Sequence, residues 1–359
     1  MKGVLPLRVF ITAFLCMIIG AGAHTQNIYP GKSWKTALPE KHGYDAKKLE
    51  EARKYIIDSM NTTGLVVVVN GEIIFSYGSI DRVSYLASCR KSILAMMYGN
   101  YVKDGTIDLN KTINDLGFDD VGGLLPVEKK ARVIDLVTAR SGVYHIASNL
   151  GDDRANSPER GSKEPGEYFL YNNWDFNVAG AAFEKMTGRN IFDAFQTDIA
   201  EPIELQDFER SVHVKAGDME LSRYPSYHFH LSTRDMARIG YLMLRRGNWD
   251  GRQVIPDDWA DKIVSVVTPL EEMNPVARRT GEFGYGYMWW IFQGQANIGA
   301  FAGGYMARGA IGQYITVLPA ADMVIAHKTD AIYGRSSTWR TYYKLLQMIT
   351  NARIAEEMQ

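Results

Sequence analysis

The sequence predicts an α/β (α+β) protein in which one antiparallel sheet, built from both ends of the chain and flanked by helices, carries a mostly helical insertion. Hairpin patterns near both ends of the chain, helical patterns between them and sufficient length for a large core indicate this fold class. The chain has 359 residues, of which 46% are hydrophobic, as in ordinary globular proteins. Strands from both ends are expected to share one core, with the insertion between them.

Two hairpin patterns supply the predicted sheet. In residues 64–77, two β-branched runs flank Asn70-Gly71, the dipeptide most typical of a type I′ turn. Residues 313–319 and 323–327 are hydrophobic and predict a second strand pair near the carboxyl end. The aromatic run at residues 285–292 is a further candidate strand.

Helical patterns occupy most of the chain between the hairpins. Residues 93–98 are apolar on every side, and a helix that is apolar all round is expected to be buried. The Gly-, Pro-, Ser- and Asn-rich residues 141–168 predict a long loop that shapes a binding site, and residues 265–282 are expected to set specificity with it. Helices are predicted at residues 88–104, 131–139, 174–187, 232–246 and 336–350.

The amino terminus has the pattern of a secretory signal peptide. Lys2 and Arg8 precede the apolar residues 9–19, and small residues follow at 21–23. The apolar part is too short for a comfortable membrane span, although an uncleaved anchor is the alternative. We therefore expect an exported protein, periplasmic or secreted, with no stable membrane span after residues 1–23 are removed.

The composition limits the partners of the predicted domains. The net charge of −1 gives no basic excess for nucleic acid. Without the signal peptide, Cys89 is the only cysteine, so an intramolecular disulfide is excluded. The sequence leaves the oligomeric state open. We expect a sheet domain formed by residues 24–110 and 265–359, a mostly helical domain at 111–264, and an active site between them.

Ser88 and Lys91 form the only Ser-x-x-Lys sequence in the chain. The spacing of three puts both side chains on one helix face, and Ser88 lies where the helix begins, next to unpaired backbone N–H groups. A serine needs a base to become a nucleophile, and a lysine in this apolar setting is pushed toward its neutral form. The alternative is a helix-capping serine followed by a surface lysine, which the apolar helix behind them disfavours.

Two further segments could complete such a site. Tyr171-Asn172-Asn173 precedes a predicted helix and offers a phenol to relay a proton and an amide to orient its partners. Tyr98 and Asn100 repeat the pattern, but Asn100 lies on the buried helix about 15 Å or more from Ser88. The glycine-rich residues 303–314 bring backbone close to a ligand, unless they form an ordinary bulge.

The order of Ser88-x-x-Lys91, Tyr171-x-Asn173 and the glycine-rich strand entry resembles the class C β-lactamase-like, penicillin-recognising serine hydrolases. The resemblance runs over residues 71–330. Residues 144–145, 171–177 and 307–313 are most similar to the branch with 6-aminohexanoate-dimer hydrolases and esterases. The resemblance implies a β-lactamase/transpeptidase-like fold.

The resemblance also implies a role for each residue of the site. Ser88 is the acylated nucleophile and Lys91 its base, while Tyr171 shares protons with Lys91 and the leaving group. Asn173 supports the site, and a backbone N–H near Ala310 holds the oxyanion together with that of Ser88. The substrate is then a small molecule or short peptide with an amide or ester bond, and no cofactor or metal is needed.

The chain departs from the β-lactamases in their Lys-Thr-Gly motif. Lys328-Thr329-Asp330 lies after the last predicted strand and cannot fill this position, and the counterpart within residues 304–309 contains no lysine. Arg308 could supply a substitute charge. Tyr144 and His145, in the long loop, are candidates to line the substrate site.

Several alternatives therefore stay open at the level of sequence. The leading hypothesis is a serine hydrolase, with an amidase or esterase favoured over a true β-lactamase. A binding protein for penicillin or cell-wall peptides that is acylated without turnover is the second. A scaffold that keeps the fold without chemistry is the third. His228 and His230 lack a third ligand at metal spacing, which favours a structural role for both.

Overall fold

The computed structural model describes residues 27–151, 153–330 and 334–354. The predicted signal peptide lies outside these residues. Across the described ranges, the structure contains no helix whose length and apolar character would suit a membrane crossing.

The strands and helices confirm the predicted fold class. The strands are β1 (Lys35–Thr36), β2 (Gly64–Val69), β3 (Glu72–Gly78), β4 (Ser84–Tyr85), β5 (Val214–Ala216), β6 (Ser226–His228), β7 (His230–Leu231), β8 (Asn248–Trp249), β9 (Arg252–Gln253), β10 (Phe283–Tyr285), β11 (Trp290–Phe292), β12 (Tyr305–Gly309), β13 (Gln313–Leu318) and β14 (Met323–Lys328). The α-helices are α1 (Ala46–Ser59), α2 (Cys89–Lys103), α3 (Val133–Val137), α4 (Asn173–Thr187), α5 (Ile191–Phe195), α6 (Thr233–Leu244), α7 (Asp257–Ile263) and α8 (Trp339–Thr350).

One eight-stranded sheet forms the centre of the molecule. Its strand order is β1-β3-β2-β14-β13-β12-β11-β10, and every pair except β1–β3 is antiparallel. The amino-terminal strand β2 pairs directly with the carboxyl-terminal strand β14, so the sheet is built from both ends of the chain as predicted. Asn70 and Gly71 both have positive φ angles, 44° and 78°, as a type I′ turn requires.

The prediction of one strand over residues 285–292 is wrong. This segment turns back on itself, and β10 pairs with β11 through Tyr285 and Trp290. Met288 has a φ of 59°, and a Cβ at Gly286 would lie 2.6 Å from the carbonyl oxygen of Ile263. The unbroken aromatic run conceals a turn because Trp289 is itself fully buried.

Helices cover both faces of the sheet. Tyr342 of α8 stacks on Tyr314 of β13, with 4.2 Å between ring centroids, whereas Gly240 of α6 lies against the next residue, Ile315. Since successive side chains point to opposite faces of a strand, α8 and α6 lie on opposite sides. Helix α1 packs with α8, and α2 lies against β12 and β13.

Candidate active site

The strand-to-helix junction before α2 presents Ser88. Ala87 has a φ of 48°, which turns the chain sharply between β4 and α2. Ser88 is the N-cap residue of α2, yet its side chain makes no capping hydrogen bond. The residue is partly exposed, so its hydroxyl is available for other partners.

Lys91 lies one turn along α2 and is only 1% exposed. Its Nζ donates hydrogen bonds to Tyr171 Oη, at 2.7 Å, and to Asn173 Oδ1, at 2.6 Å. The same nitrogen lies 4.1 Å from the ring centroid of Tyr171 and 4.3 Å from that of Phe176. The amine is therefore fixed between two oxygen atoms and two aromatic rings.

Tyr171 joins the lysine to the serine. Burial raises the pKa of Tyr171 to about 12, and a hydrogen bond with the Ser88 side chain opposes this rise. Tyr171 comes just before α4, where Asn172 is the N-cap and accepts a hydrogen bond from Trp174 N. This cap fixes the direction in which the chain enters α4, and so the position of the phenol.

Asn173 connects the lysine to the long loop at residues 141–168. Its Oδ1 accepts from Lys91, while its Nδ2 donates to the backbone carbonyls of Asn149, at 3.4 Å, and Leu150, at 3.2 Å. The loop thus lies beside Lys91. Ser88, Lys91, Tyr171 and Asn173 form one connected group.

The end of β12 lies against the chain that leads into Ser88. A Cβ at Gly309 would be 2.6 Å from the carbonyl oxygen of Leu86 and 3.2 Å from Ala87 Cβ, so only glycine fits without displacement. Within the described ranges, the backbone N–H groups of Ser88 and Ala310 have no hydrogen-bond acceptor. Two free donors on adjoining segments are what an oxyanion hole requires.

A comparison with protein families classifies the chain. The beta-lactamase family model matches residues 53–331. The chain belongs to the beta-lactamase family. The match includes Ser88, Lys91, Tyr171, Asn173 and Ala310, and it supports hydrolase activity.

Solved structures with the same fold have low sequence identity to this family member. A protein from Bacillus anthracis assigned as a 6-aminohexanoate-dimer hydrolase is 18% identical, with a TM-score of 0.65 over 90% of this chain and 89% of its own. A penicillin-binding protein homologue from Caulobacter crescentus is 13% identical, with a TM-score of 0.63 over 89% and 99%. A class C beta-lactamase mutant is 13% identical, with a TM-score of 0.61 over 85% and 96%. At this identity the likeness establishes the fold alone.

Arg308 lies on β12, within residues 304–309, which are the predicted counterpart of the Lys-Thr-Gly motif. Its guanidinium carbon lies 4.8 Å from the ring centroid of Phe283, 5.0 Å from that of Trp290 and 4.9 Å from that of Trp339. Burial lowers the pKa of Arg308. The three aromatic rings surround this partly exposed cation.

Tyr144 and His145 are both buried side chains of the long loop. Both ring nitrogens of His145 contact backbone carbonyls, Nδ1 that of Ile146 at 2.8 Å and Nε2 that of Val121 at 2.7 Å. Asp120 Oδ2 lies 3.5 Å from His145 Nδ1. The buried hydroxyl of Tyr144 has no hydrogen-bond partner among the described residues. A substrate role for either residue stays a prediction.

Three residues from the other two motif-like segments, Tyr98, Asn100 and Lys328, form hydrogen bonds that connect segments of the fold. Tyr98 and Asn100 each donate to a backbone carbonyl of another segment. Lys328 is 1% exposed, and its Nζ donates to the carbonyl of Ser84 at 2.7 Å. Burial lowers the pKa of Lys328 to about 7. Lys328 therefore connects β14 to β4, the strand that precedes Ser88.

One ion pair of the site was not predicted from the sequence. Arg278 binds the carboxylate of Asp153 with two nitrogens, at 2.7–2.9 Å. Its guanidinium carbon lies 5.3 Å from the ring centroid of Trp290, which is itself 5.3 Å from that of Tyr171. Asp153 N donates to the carbonyl of Tyr171 at 3.1 Å. The pair joins residues 141–168 to residues 265–282 beside the phenol.

Proposed function

We propose that this protein is a serine hydrolase that cleaves an amide or ester bond through an acyl-enzyme on Ser88. The observation that carries the proposal is the hydrogen-bonded group in which Tyr171 contacts both Lys91 and Ser88. A buried amine and a buried phenol next to a serine whose hydroxyl makes no capping hydrogen bond are suited to moving its proton.

Acylation would begin with attack of Ser88 Oγ on the substrate carbonyl carbon. The serine proton passes to Lys91, directly or through Tyr171, and the oxyanion accepts hydrogen bonds from the backbone N–H groups of Ser88 and Ala310. As the bond between the carbonyl carbon and the leaving group breaks, Tyr171 returns that proton to the leaving oxygen or nitrogen. Asn173 holds the amine of Lys91 in position by accepting its hydrogen bond.

Deacylation would use the same groups with water as the nucleophile. Water attacks the ester carbonyl and gives a proton to the Lys91–Tyr171 pair, and the bond between Ser88 Oγ and the acyl carbon breaks. The serine oxygen takes up the proton, and the acid is released. No step requires a cofactor.

The end of β12 bears on the substrate preference. Residues 304–309 contain no lysine, and Arg308 is surrounded by aromatic rings rather than directed by a hydrogen bond to the serine group. An amide or ester with no obligatory carboxylate is therefore favoured over a β-lactam. The signal-peptide pattern at residues 1–23 supports the proposal that this activity lies outside the cytoplasm.

A substrate panel tests the proposal. Purified protein is assayed with p-nitrophenyl esters, a linear amide, a D-Ala-D-Ala peptide and the β-lactam nitrocefin, with Ser88→Ala as the blank. We expect turnover of an ester or the linear amide with a higher kcat/KM than nitrocefin. Faster hydrolysis of nitrocefin would show a true β-lactamase. Stable acylation by penicillin without release, seen by intact mass, would show a binding protein.

The Asp153–Arg278 ion pair gives a prediction about substrate binding. Arg278→Ala is expected to raise KM about fivefold while kcat changes less, because a partly exposed pair contributes about 1 kcal/mol. Steady-state kinetics with the best ester measures the effect. The exchanged variant, Asp153→Arg with Arg278→Asp, should recover part of the lost affinity. An unchanged KM in Arg278→Ala would remove the pair from the binding site.

A further inference from the structure

Arg90 is a buried cation beside the candidate base. The residue is 1% exposed, and its guanidinium carbon lies 4.2 Å from the ring centroid of Tyr227. Its Nη2 donates to Asn177 Oδ1 at 2.9 Å, and its Nη1 is buried without a hydrogen-bond partner among the described residues. No carboxylate of the described ranges forms an ion pair with it.

Arg90 and Lys91 each donate a hydrogen bond to an asparagine side chain of α4. The two cations are neighbours on α2, and their acceptors, Asn177 and Asn173, are four residues apart on α4. Residues at this spacing lie on one face of a helix. These two acceptors are amide oxygens, which bind a cation without cancelling its charge, and the other acceptor of Lys91 is the phenol oxygen of Tyr171.

The charge of Arg90 acts on the groups around it. Burial raises the pKa of Tyr171, and the Arg90 charge opposes this rise. Burial lowers the pKa of His228 to about 4, and Arg90 adds to this effect. In a poorly solvated site, a fixed positive charge favours the deprotonated form of every titratable neighbour.

Other titratable and charged groups lie near Arg90, Lys91 and Tyr171. Asp175, the nearby acid on α4, accepts hydrogen bonds from Ser141 and Asn172. Further such groups include Cys89 on α2, Tyr85 on β4, Tyr227 and His228 on β6, Tyr285 on β10, Arg308 on β12 and Arg278 in the loop at 265–282.

We propose that Arg90 is a positioning residue that biases Lys91 and Tyr171 toward their deprotonated forms, so that Ser88 is acylated near neutral pH. The inference rests on the proposed function. Arg90 touches neither the serine nor the substrate carbonyl. Its effect passes through Lys91 and Tyr171, and the hydrogen bond to Asn177 joins it to α4.

The pH dependence of acylation tests this proposal. The second-order rate of Ser88 labelling by a fluorophosphonate is measured from pH 5 to 10 in the wild-type protein, Arg90→Met and Asn177→Asp. We expect the acid limb of the profile to move up by about one pH unit in both variants. Arg90→Met removes the positive charge of Arg90, and Asn177→Asp places a carboxylate beside the guanidinium to neutralise that charge.

Two matched variants separate charge from packing. Arg90→Lys keeps the charge, and Asn177→Ala removes the amide without adding a charge, so both should keep the acid limb close to its wild-type position. If Arg90→Met fails to fold, the acid limb of Asn177→Asp still tests the proposal, because this variant retains Arg90.

The possible outcomes distinguish this inference from the proposed function. Superimposable acid limbs in wild type, Arg90→Met and Asn177→Asp would overturn the inference while leaving the hydrolase intact. A rate reduced equally at every pH would also overturn it, because it would indicate only a structural role. Absence of labelling at Ser88 in the wild type would overturn both.

Discussion

Replacement of Ser88 by alanine is expected to lower kcat/KM for the best ester or amide about 10,000-fold or more, the effect of removing a covalent nucleophile. Because the Ser88 side chain makes no capping hydrogen bond, the free energy of unfolding should change by less than about 0.5 kcal/mol. Steady-state kinetics and thermal unfolding of the same preparation measure both quantities.

Ser92 is the matched control for this variant. It lies one turn further along α2, and its hydroxyl donates to the carbonyl of Met288 at 2.6 Å. Ser92→Ala should lose about 1 kcal/mol of stability and keep its activity. If Ser88→Ala retained wild-type kcat/KM, the assignment of the nucleophile would fail.

Replacement of Lys91 by methionine is expected to lower the rate of acylation about 100- to 10,000-fold, the usual contribution of a general base. Methionine keeps much of the length and the apolar contacts of the lysine stem, but it cannot accept the serine proton. Lys91→Arg should be as inactive, because arginine keeps the charge and does not give up its proton. Single-turnover labelling with a fluorophosphonate measures the rate.

Lys103, an exposed lysine at the end of the same helix, provides the control. Lys103→Met should acylate at the wild-type rate. Full activity in Lys91→Arg would show that the lysine acts only as a positive charge and would contradict its role as the base.

The parts of the site that could be predicted depend on short-range geometry. Ser88 and Lys91 are one helical turn apart, so the sequence spacing alone brings them together. Tyr171 and Asn173 flank the residue that caps α4, and a cap sets the direction of the chain over a few residues. The hairpin around Asn70-Gly71 could be predicted because only a few dipeptides fit its turn.

The Asp153–Arg278 ion pair could not be predicted in this way. Its members are 125 residues apart in loops without periodicity, and only the folded sheet brings them together. His145 illustrates the same limit, since the carbonyl of Val121 and the carboxylate of Asp120, both from a distant segment, lie against its ring nitrogens.

Helix α1 was missed for a different reason. Its sequence is highly charged, and only Leu49, Ala52 and Ile56 are buried. A capping aspartate at Asp45 followed by apolar residues at that spacing could have indicated it.

Peptide mapping after fluorophosphonate labelling tests the central claim most directly. Folded protein is labelled, digested and analysed by mass spectrometry, with Ser88→Ala treated in parallel. The proposed mechanism predicts one adduct per chain, on the oxygen of Ser88, and none in the alanine variant. An adduct on another residue, or equal labelling of both proteins, would contradict it.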